Sequence, residues 1–214
     1  MNTTYRDRAA AGAALAEALG SYVDRPEVLV LGLVRGGVPV AAAVAARLRA
    51  RLDVLVVRKL GVPWAPEVAF GALGPGGVHV FNDDITRRLD PADIDEVIRR
   101  ETAELARREQ LYRGTRLPIQ LAGRTAVIVD DGLATGATAR AAIAVARRLG
   151  AHRVVIAVPV GSPDAVAQLT HEADQVVCPV APAGFGAVSR FYRDFRQVDD
   201  RTVVRLLAGS DSSA

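Results

Sequence analysis

The chain has 214 residues, half of them hydrophobic, which is enough to bury one substantial core without disulfides. Its net charge of only +3 argues against a basic nucleic-acid-binding surface, and no apolar run approaches the roughly 20 residues that span a bilayer. The single cysteine, Cys178, cannot form an internal disulfide, so we expect a cytoplasmic protein without membrane association.

The first elements predict alternating helices and buried strands. An amphipathic helix is expected at about 9–19. The apolar run 28–34 is typical of a strand buried on both faces of a parallel sheet, and a helix over 38–51 and a second buried strand over 54–57 follow it. The pattern therefore begins as strand, helix, strand.

A segment rich in glycine and proline, residues 60–83, interrupts this alternation. It contains only two short pieces that resemble strands, near 68–73 and 78–81. We interpret the segment as a mobile loop or a small hairpin.

The second half of the chain resumes the alternation after a long charged helix, which Pro91 opens at its first turn. The predicted segments are a helix to about residue 112, strand–loop–helix units over 125–149 and 153–170, and a short strand over 176–180. Such alternation predicts an α/β fold, a doubly wound and mostly parallel sheet flanked by helices.

We interpret residues 1–214 as one domain. Its core is expected at about 26–182, with the flexible loop at 60–83. The remaining segment, about 181–214, is expected to form a small hood and a tail.

The sequence VIVDDGLATGATARAA places two adjacent carboxylates, Asp130 and Asp131, after a buried strand and before a helix. In an open α/β sheet, ligands bind at the carboxyl ends of the strands. The backbone amides of 132–138, the helix start and the hydroxyls of Thr135 and Thr138 suit a phosphate. Carboxylates only accept hydrogen bonds, so they call for hydroxyls or a metal nearby. Together these features predict a site for a ribose 5-phosphate.

Other phosphate-binding motifs fit this stretch less well. A Walker loop would need a lysine where Ala137 stands, and the G-x-G-x-x-G dinucleotide fingerprint is absent. The alternative is a plain connection whose acids cap a helix, although a cap needs one acid rather than two.

The stretch VDDGLATGAT resembles the signature V-[DE]-D-x-x-x-T-G-x-T of type I phosphoribosyltransferases, which bind 5-phosphoribosyl-1-diphosphate (PRPP). The resemblance implies that Asp130 and Asp131 bind the ribose hydroxyls. The residues that it implies around the 5-phosphate are Gly132, Leu133, Ala134, Thr135, Gly136, Ala137 and Thr138. Over the whole chain, the sequence is most similar to stand-alone bacterial phosphoribosyltransferase-like proteins of unassigned substrate.

Two further strand ends match the same family. LVRGGVPVA carries Arg35, Gly36 and Gly37 where the family has its pyrophosphate loop, and VVRKLG carries Arg58 and Lys59 where the family often has cations that touch pyrophosphate. A structural turn and a solvated surface pair are the alternatives. Lys59 is the only lysine of the chain, which favours a functional ammonium group there.

The resemblance implies displacement of pyrophosphate at the anomeric carbon of PRPP by a nitrogenous, small-molecule acceptor. Mg²⁺ would be bound through PRPP, with Asp130 and Asp131 as candidate ligands, and no separate protein metal site is implied. Arg35 would contribute positive charge beside the pyrophosphate, and Arg58 and Lys59 would be the catalytic cations.

The 60–83 segment could then close as a lid that excludes water. Trp64 is interpreted either as part of such a lid or as a packed anchor of the loop, and Glu67 has no assigned role.

The sequence does not identify the acceptor. Ala134 stands where 6-oxopurine phosphoribosyltransferases carry a third aspartate, and Val188 stands where their hood would carry an acid. Four residues could form either a hood over the acceptor or ordinary core: Cys178, Phe185, Phe191 and Tyr192.

Two alternatives to a PRPP-dependent transferase remain at this point. The first is a regulator on the same fold that senses PRPP or a nucleotide, or that binds RNA; only 5% aromatic residues and helices of mixed charge argue against RNA. The second is the same fold acting on another phosphorylated sugar. The family resemblance also implies a homodimer.

Overall fold

The computed structural model describes residues 4–211, so the first three and the last three residues of the predicted domain and tail lie outside the described residues. The strands are β1 (Val28–Leu33), β2 (Arg51–Leu55), β3 (Arg58–Val62), β4 (Ala65–Gly74), β5 (Val78–Phe81), β6 (Thr125–Val129), β7 (Arg153–Ala157) and β8 (Gln175–Val177). The helices are α1 (Arg8–Ala18), α2 (Gly37–Leu48), α3 (Asp83–Thr86), α4 (Pro91–Arg113), α5 (Ala137–Arg148), α6 (Pro163–Leu169) and α7 (Asp200–Asp211).

Five strands form a parallel sheet in the order β2-β1-β6-β7-β8, which confirms the predicted fold class. The chain winds from β1 outward to β2, and later from β6 outward to β8, so the direction of winding reverses between β1 and β6. The carboxyl ends of β1 and β6 lie side by side, because Gly32 of β1 pairs with Val129 of β6. Such a switch point opens a crevice at the sheet edge, where ligands bind in folds of this type.

Each face of this sheet packs on its own helices because side chains alternate along the strands. Val28 and Val30 of β1 lie in a core with residues of α1, α2 and α7. Leu29 and Leu31 lie in a second core with residues of α5 and α6. Burial on both faces explains the continuous apolar runs of the strands.

The region predicted as a loop or small hairpin forms a second, antiparallel sheet in the order β3-β4-β5. The pieces near 68–73 and 78–81 belong to β4 and β5, while β3 and the length of β4 were not predicted. Phe70 of β4 is fully buried, and Ala72 packs on the core beneath α5. The side chain of Trp64 is 68% exposed in the β3–β4 turn, so the packed-anchor interpretation is wrong. Mobility of the segment stays a prediction.

Among the described residues, none of the helices combines the length and the apolar character that crossing a bilayer requires.

Candidate functional site

The two glycines after β1 lie directly against the two aspartates after β6. A Cβ atom at Gly36 would overlap Oδ2 of Asp131, and a Cβ atom at Gly37 would lie 2.5 Å from the carbonyl oxygen of Val129 and 2.8 Å from Cα of Asp130. Only glycine lets the backbone approach this closely. The structure therefore brings the predicted pyrophosphate loop and the predicted ribose-binding acids together at the switch point.

Asp131 is held by contacts from both ends of the chain. Arg8 Nε donates to Oδ2 of Asp131 over 2.9 Å, and the hydroxyl of Tyr192 donates to the backbone carbonyl of Asp131 over 2.6 Å. The guanidinium carbon of Arg8 lies 4.0 Å from the ring centroid of Phe195. Sequence reasoning missed Arg8 and Phe195, because no local pattern links them to a motif more than sixty residues away.

The neighbouring carboxylate, Asp130, accepts a hydrogen bond at Oδ1 from the amide of Asp131 over 2.9 Å. Burial and the negative charge of Asp131 raise the pKa of Asp130. Burial also raises the pKa of Asp131, while Arg8 opposes that rise. The site thus holds two acids that resist being charged together, a condition that a cation or a hydroxyl donor relieves.

Each of the two acids keeps one oxygen for a ligand. Within residues 4–211, hydrogen bonds engage only Oδ1 of Asp130 and Oδ2 of Asp131, and no buried side-chain oxygen or nitrogen lacks a partner. The remaining oxygen of each carboxylate therefore reaches solvent. Two acceptor oxygens on adjacent residues suit a pair of vicinal hydroxyls.

The loop between β6 and α5 presents free amides beside the acids. In the part of the chain that the structure describes, six amides of this loop and of the helix start donate no hydrogen bond, namely those of Gly132, Ala134, Thr135, Gly136, Thr138 and Ala139. Gly136 has φ +77°, a conformation that glycine adopts without strain. Free amides at a helix N-terminus are a ready site for an anion.

Other contacts of the predicted phosphate residues shape this loop. The amide of Leu133 donates to Val160 over 2.9 Å, and its side chain is buried in the core. The amide of Ala137 donates to Oγ1 of Thr135 over 3.4 Å. On the other side, a Cβ atom at Gly132 would lie 2.5 Å from a methyl group of Val188. These contacts fix the loop between the core and the C-terminal segment.

Arg35 points from the predicted pyrophosphate loop toward α7. Its Nη1 lies 3.4 Å from Oδ1 of Asp200, and the hydroxyl of Tyr112 donates to the same oxygen over 2.7 Å. Burial and Asp200 raise the pKa of Tyr112 to about 12, so this phenol stays protonated. Arg35 is half-buried and shares its only described acidic partner with Tyr112.

The two cations after β2 lie on opposite sides of β3. Arg58 Nε donates to Glu101 of α4 over 2.8 Å. Lys59 instead lines a cavity of about 390 Å³ together with Ala137 of α5, and its Nζ lies 3.6 Å from the 99% exposed side chain of Glu67. Lys59 therefore lies on the side of the phosphate loop, while Arg58 is directed toward α4.

The predicted hood separates into two parts. An aromatic cluster of Tyr5, Phe185, Phe191 and Tyr192 packs over Val160 beside the acid pair. Helix α7 belongs instead to the main core, where two of its residues, Val203 and Leu207, are buried. Cys178 lies half-buried, and burial raises the pKa of its thiol to about 11, which keeps it protonated.

Comparison with known proteins agrees with this geometry. The crystal structure of TT1426 from Thermus thermophilus has a TM-score of 0.89 and 44% sequence identity, over 96% of this chain and 98% of that one. MT0597 and Rv0571c, from Mycobacterium tuberculosis strains CDC 1551 and H37Rv, are named provisionally as phosphoribosyl transferases and are 55% identical over 205 residues.

The alignment with the two mycobacterial proteins covers 95% of this chain and 46% of theirs, so the chain spans about half the length of these curated relatives. A family model described as a phosphoribosyl transferase domain matches residues 2–195. The resemblance found in the sequence is confirmed, and the chain belongs to the phosphoribosyl transferase domain family.

Proposed function

We propose that the protein binds PRPP with Mg²⁺ and transfers its phosphoribosyl group to a nitrogenous acceptor, a nucleobase in the simplest case. The observation that carries this proposal is the pairing of free amides, in the loop after β6 and at the start of α5, with two free carboxylate oxygens at the switch point. The family membership supports the same reaction class.

The two ends of the site suit the two ends of a phosphorylated ribose. The free amides of Ala134, Thr135, Gly136 and Thr138 would hold the 5-phosphate at the positive end of α5. One oxygen each of Asp130 and Asp131 would accept a hydrogen bond from the ribose hydroxyls. The sugar would thereby be oriented with its anomeric carbon toward the loop of Arg35, Gly36 and Gly37.

The carboxylates of Asp130 and Asp131 suit a Mg²⁺ ion that binds together with the substrate. The described residues contain no cluster of three or more His, Cys, Asp or Glu side chains that could hold a metal by themselves. Mg²⁺ is usually bound by one or two carboxylates together with substrate phosphates and water, and Asp130 and Asp131 could supply that share. When bound, the ion would neutralise charge on the pyrophosphate leaving group.

In the proposed reaction, the bond from the anomeric carbon to pyrophosphate breaks, a bond to the acceptor nitrogen forms, and the N–H proton of the acceptor is released to solvent. The chain would contribute position and charge. The close-packed backbone of Gly36 and Gly37 would face the pyrophosphate. The guanidinium of Arg35 would join it after turning from its partner Asp200. Lys59 would reach it from the side of α5, and Arg58 would join only after exchanging its partner Glu101.

Isothermal titration calorimetry with PRPP and Mg²⁺ tests the proposal. Asp130→Asn combined with Asp131→Asn is expected to weaken binding at least about 100-fold, because two charge-assisted hydrogen bonds are lost. Asp83→Asn combined with Asp84→Asn is the matched control, since these adjacent acids are exposed in α3. Unchanged affinity in the first variant, or an equal loss in the control, would contradict the proposal.

Turnover separates the enzyme from the regulator. Incubation with PRPP, Mg²⁺ and a panel of nucleobases is expected to release pyrophosphate with one of them. Tight PRPP binding without release by any base would favour the sensing alternative, and retention of cellular RNA on a filter at physiological salt would favour the RNA-binding one. The homodimer and the cytoplasmic location predicted from the sequence remain part of this proposal, and light scattering measures the first.

A further inference from the structure

The acid pair receives one partner from the first helix of the chain. Arg8 is the first residue of α1, and Asp7 caps that helix by accepting a hydrogen bond from the amide of Ala10 over 2.8 Å. From this helix start, Arg8 reaches Asp131, which lies 123 positions later in the chain. The side chains of Arg8 and Asp131 are only 11% and 15% exposed. The contact is therefore a largely buried ion pair.

The guanidinium of Arg8 is held in place by three contacts. Nε donates to Oδ2 of Asp131 over 2.9 Å, and Nη1 donates to the backbone carbonyl of Arg196 over 2.8 Å. Its carbon lies 4.0 Å from the ring centroid of Phe195, and that ring packs on Tyr192 at 4.9 Å. A planar group bound at two edges and stacked on one face has little freedom to reorient.

These contacts also fix the carboxylate of Asp131. Oδ2 lies between Arg8 and the backbone at Gly36, where not even a Cβ atom would fit. Tyr192 holds the backbone carbonyl of the same residue. Because the carboxylate is planar, holding Oδ2 in place also fixes the direction of Oδ1. Oδ1 is the oxygen of Asp131 that reaches solvent.

We propose that Arg8 is a positioning residue of the ribose site: by binding Oδ2 of Asp131, it directs the other carboxylate oxygen toward a ribose hydroxyl. This inference rests on the proposed function. It makes α1 and the segment around Phe195 part of the substrate site, although both lie outside the motifs that identify the family. Arg8 itself contacts no substrate in this arrangement.

The test compares two ligands that differ in the ribose. For Arg8→Met, the Kd of Mg²⁺–PRPP is expected to rise about 10- to 100-fold, as for a small misplacement of a binding group. The Kd of inorganic pyrophosphate measured without Mg²⁺ is expected to stay within about twofold, because pyrophosphate has no hydroxyl for Asp131 and no ion then links the two. Arg8→Lys is expected to recover only part of the PRPP affinity, since an ammonium restores charge without the planar fork.

Two controls separate positioning from a general loss of structure. Arg6→Gln removes a 77% exposed arginine from the same segment and is expected to leave both affinities unchanged. Adding Arg8→Met to Asp131→Asn is expected to cost little further PRPP affinity, because the two residues act through one contact. Arg8→Lys keeps the charge, so it serves as the folded comparison if Arg8→Met melts below the assay temperature.

The outcomes distinguish this inference from the proposed function. Wild-type affinity for PRPP in Arg8→Met, or equal losses for PRPP and pyrophosphate, would overturn the positioning role while leaving PRPP binding intact. If the wild-type protein does not bind PRPP, the proposed function fails and this inference fails with it. In turnover, the KM for PRPP is expected to rise while the KM for the acceptor stays unchanged.

Discussion

Gly37→Ala is expected to abolish PRPP binding and to lower the free energy of unfolding by about 1–3 kcal/mol. The added Cβ atom would lie 2.5 Å from the carbonyl oxygen of Val129 and 2.8 Å from Cα of Asp130. Both atoms belong to backbone, so no side-chain rotation can relieve the overlap. Strand β6 and the loop after β1 would have to separate, and the acids would move away from the pyrophosphate loop. Calorimetry with PRPP and thermal denaturation measure the two effects.

Gly20→Ala is the matched control for this substitution. A Cβ atom at Gly20 would meet nothing within 4 Å, so both PRPP affinity and stability are expected to stay unchanged. Binding should be measured well below the midpoint of unfolding of each variant. If Gly37→Ala bound PRPP as tightly as the wild type, the loop after β1 would not be part of the site.

Asp130→Asn is expected to stabilise the protein at pH 8 while weakening PRPP binding at least about tenfold. The substitution keeps an oxygen for the amide of Asp131 and removes a buried charge beside a second acid. The gain is expected to be about 1 kcal/mol, or roughly 2–4 °C in the midpoint of unfolding for a chain of this size. Stability and binding would then change in opposite directions, as for a site that accumulates like charges.

The stability that Asp130→Asn adds is expected to increase with pH. The pKa of Asp130 is raised in the folded protein, so the folded state holds a proton that the unfolded chain releases near pH 4. As the pH rises from there through the folded pKa values, the wild type loses stability through both acids, whereas the asparagine variant loses it only through Asp131. The difference between their melting temperatures is therefore expected to be larger at pH 8 than at pH 5. A difference that shrinks with rising pH would contradict this account.

The sequence predicts the parallel sheet because its determinants are local. β1 and β6 are continuous apolar runs, and the acids and glycines that follow them mark the carboxyl ends of those strands. β3 was not predicted, because its first residues, Arg58 and Lys59, are charged, and it is defined by pairing with β4. The predicted helix over 38–51 ends early, at Leu48, since Arg49 adopts a left-handed conformation with φ +51°.

The sequence predicts the candidate site, too, only where its determinants are local. Asp130, Asp131, Gly36 and Gly37 come together because a parallel sheet aligns the ends of neighbouring strands. The pair of Arg8 with Asp131 depends on how the first helix and the last aromatic segment meet in space, and no spacing in the sequence encodes that meeting. The opposite orientations of Arg58 and Lys59 likewise follow from the packing of β3 between α4 and α5.

The meeting of the two ends of the chain limits how far the protein can be shortened. Tyr5 exchanges backbone hydrogen bonds with Phe191 and Arg193, and Val203 and Leu207 of α7 fill the main core. A fragment cut to residues 26–182 would therefore lose one wall of the crevice beside Asp131 and expose part of its apolar interior. The smallest piece worth expressing on its own runs from before Tyr5 to beyond Leu207.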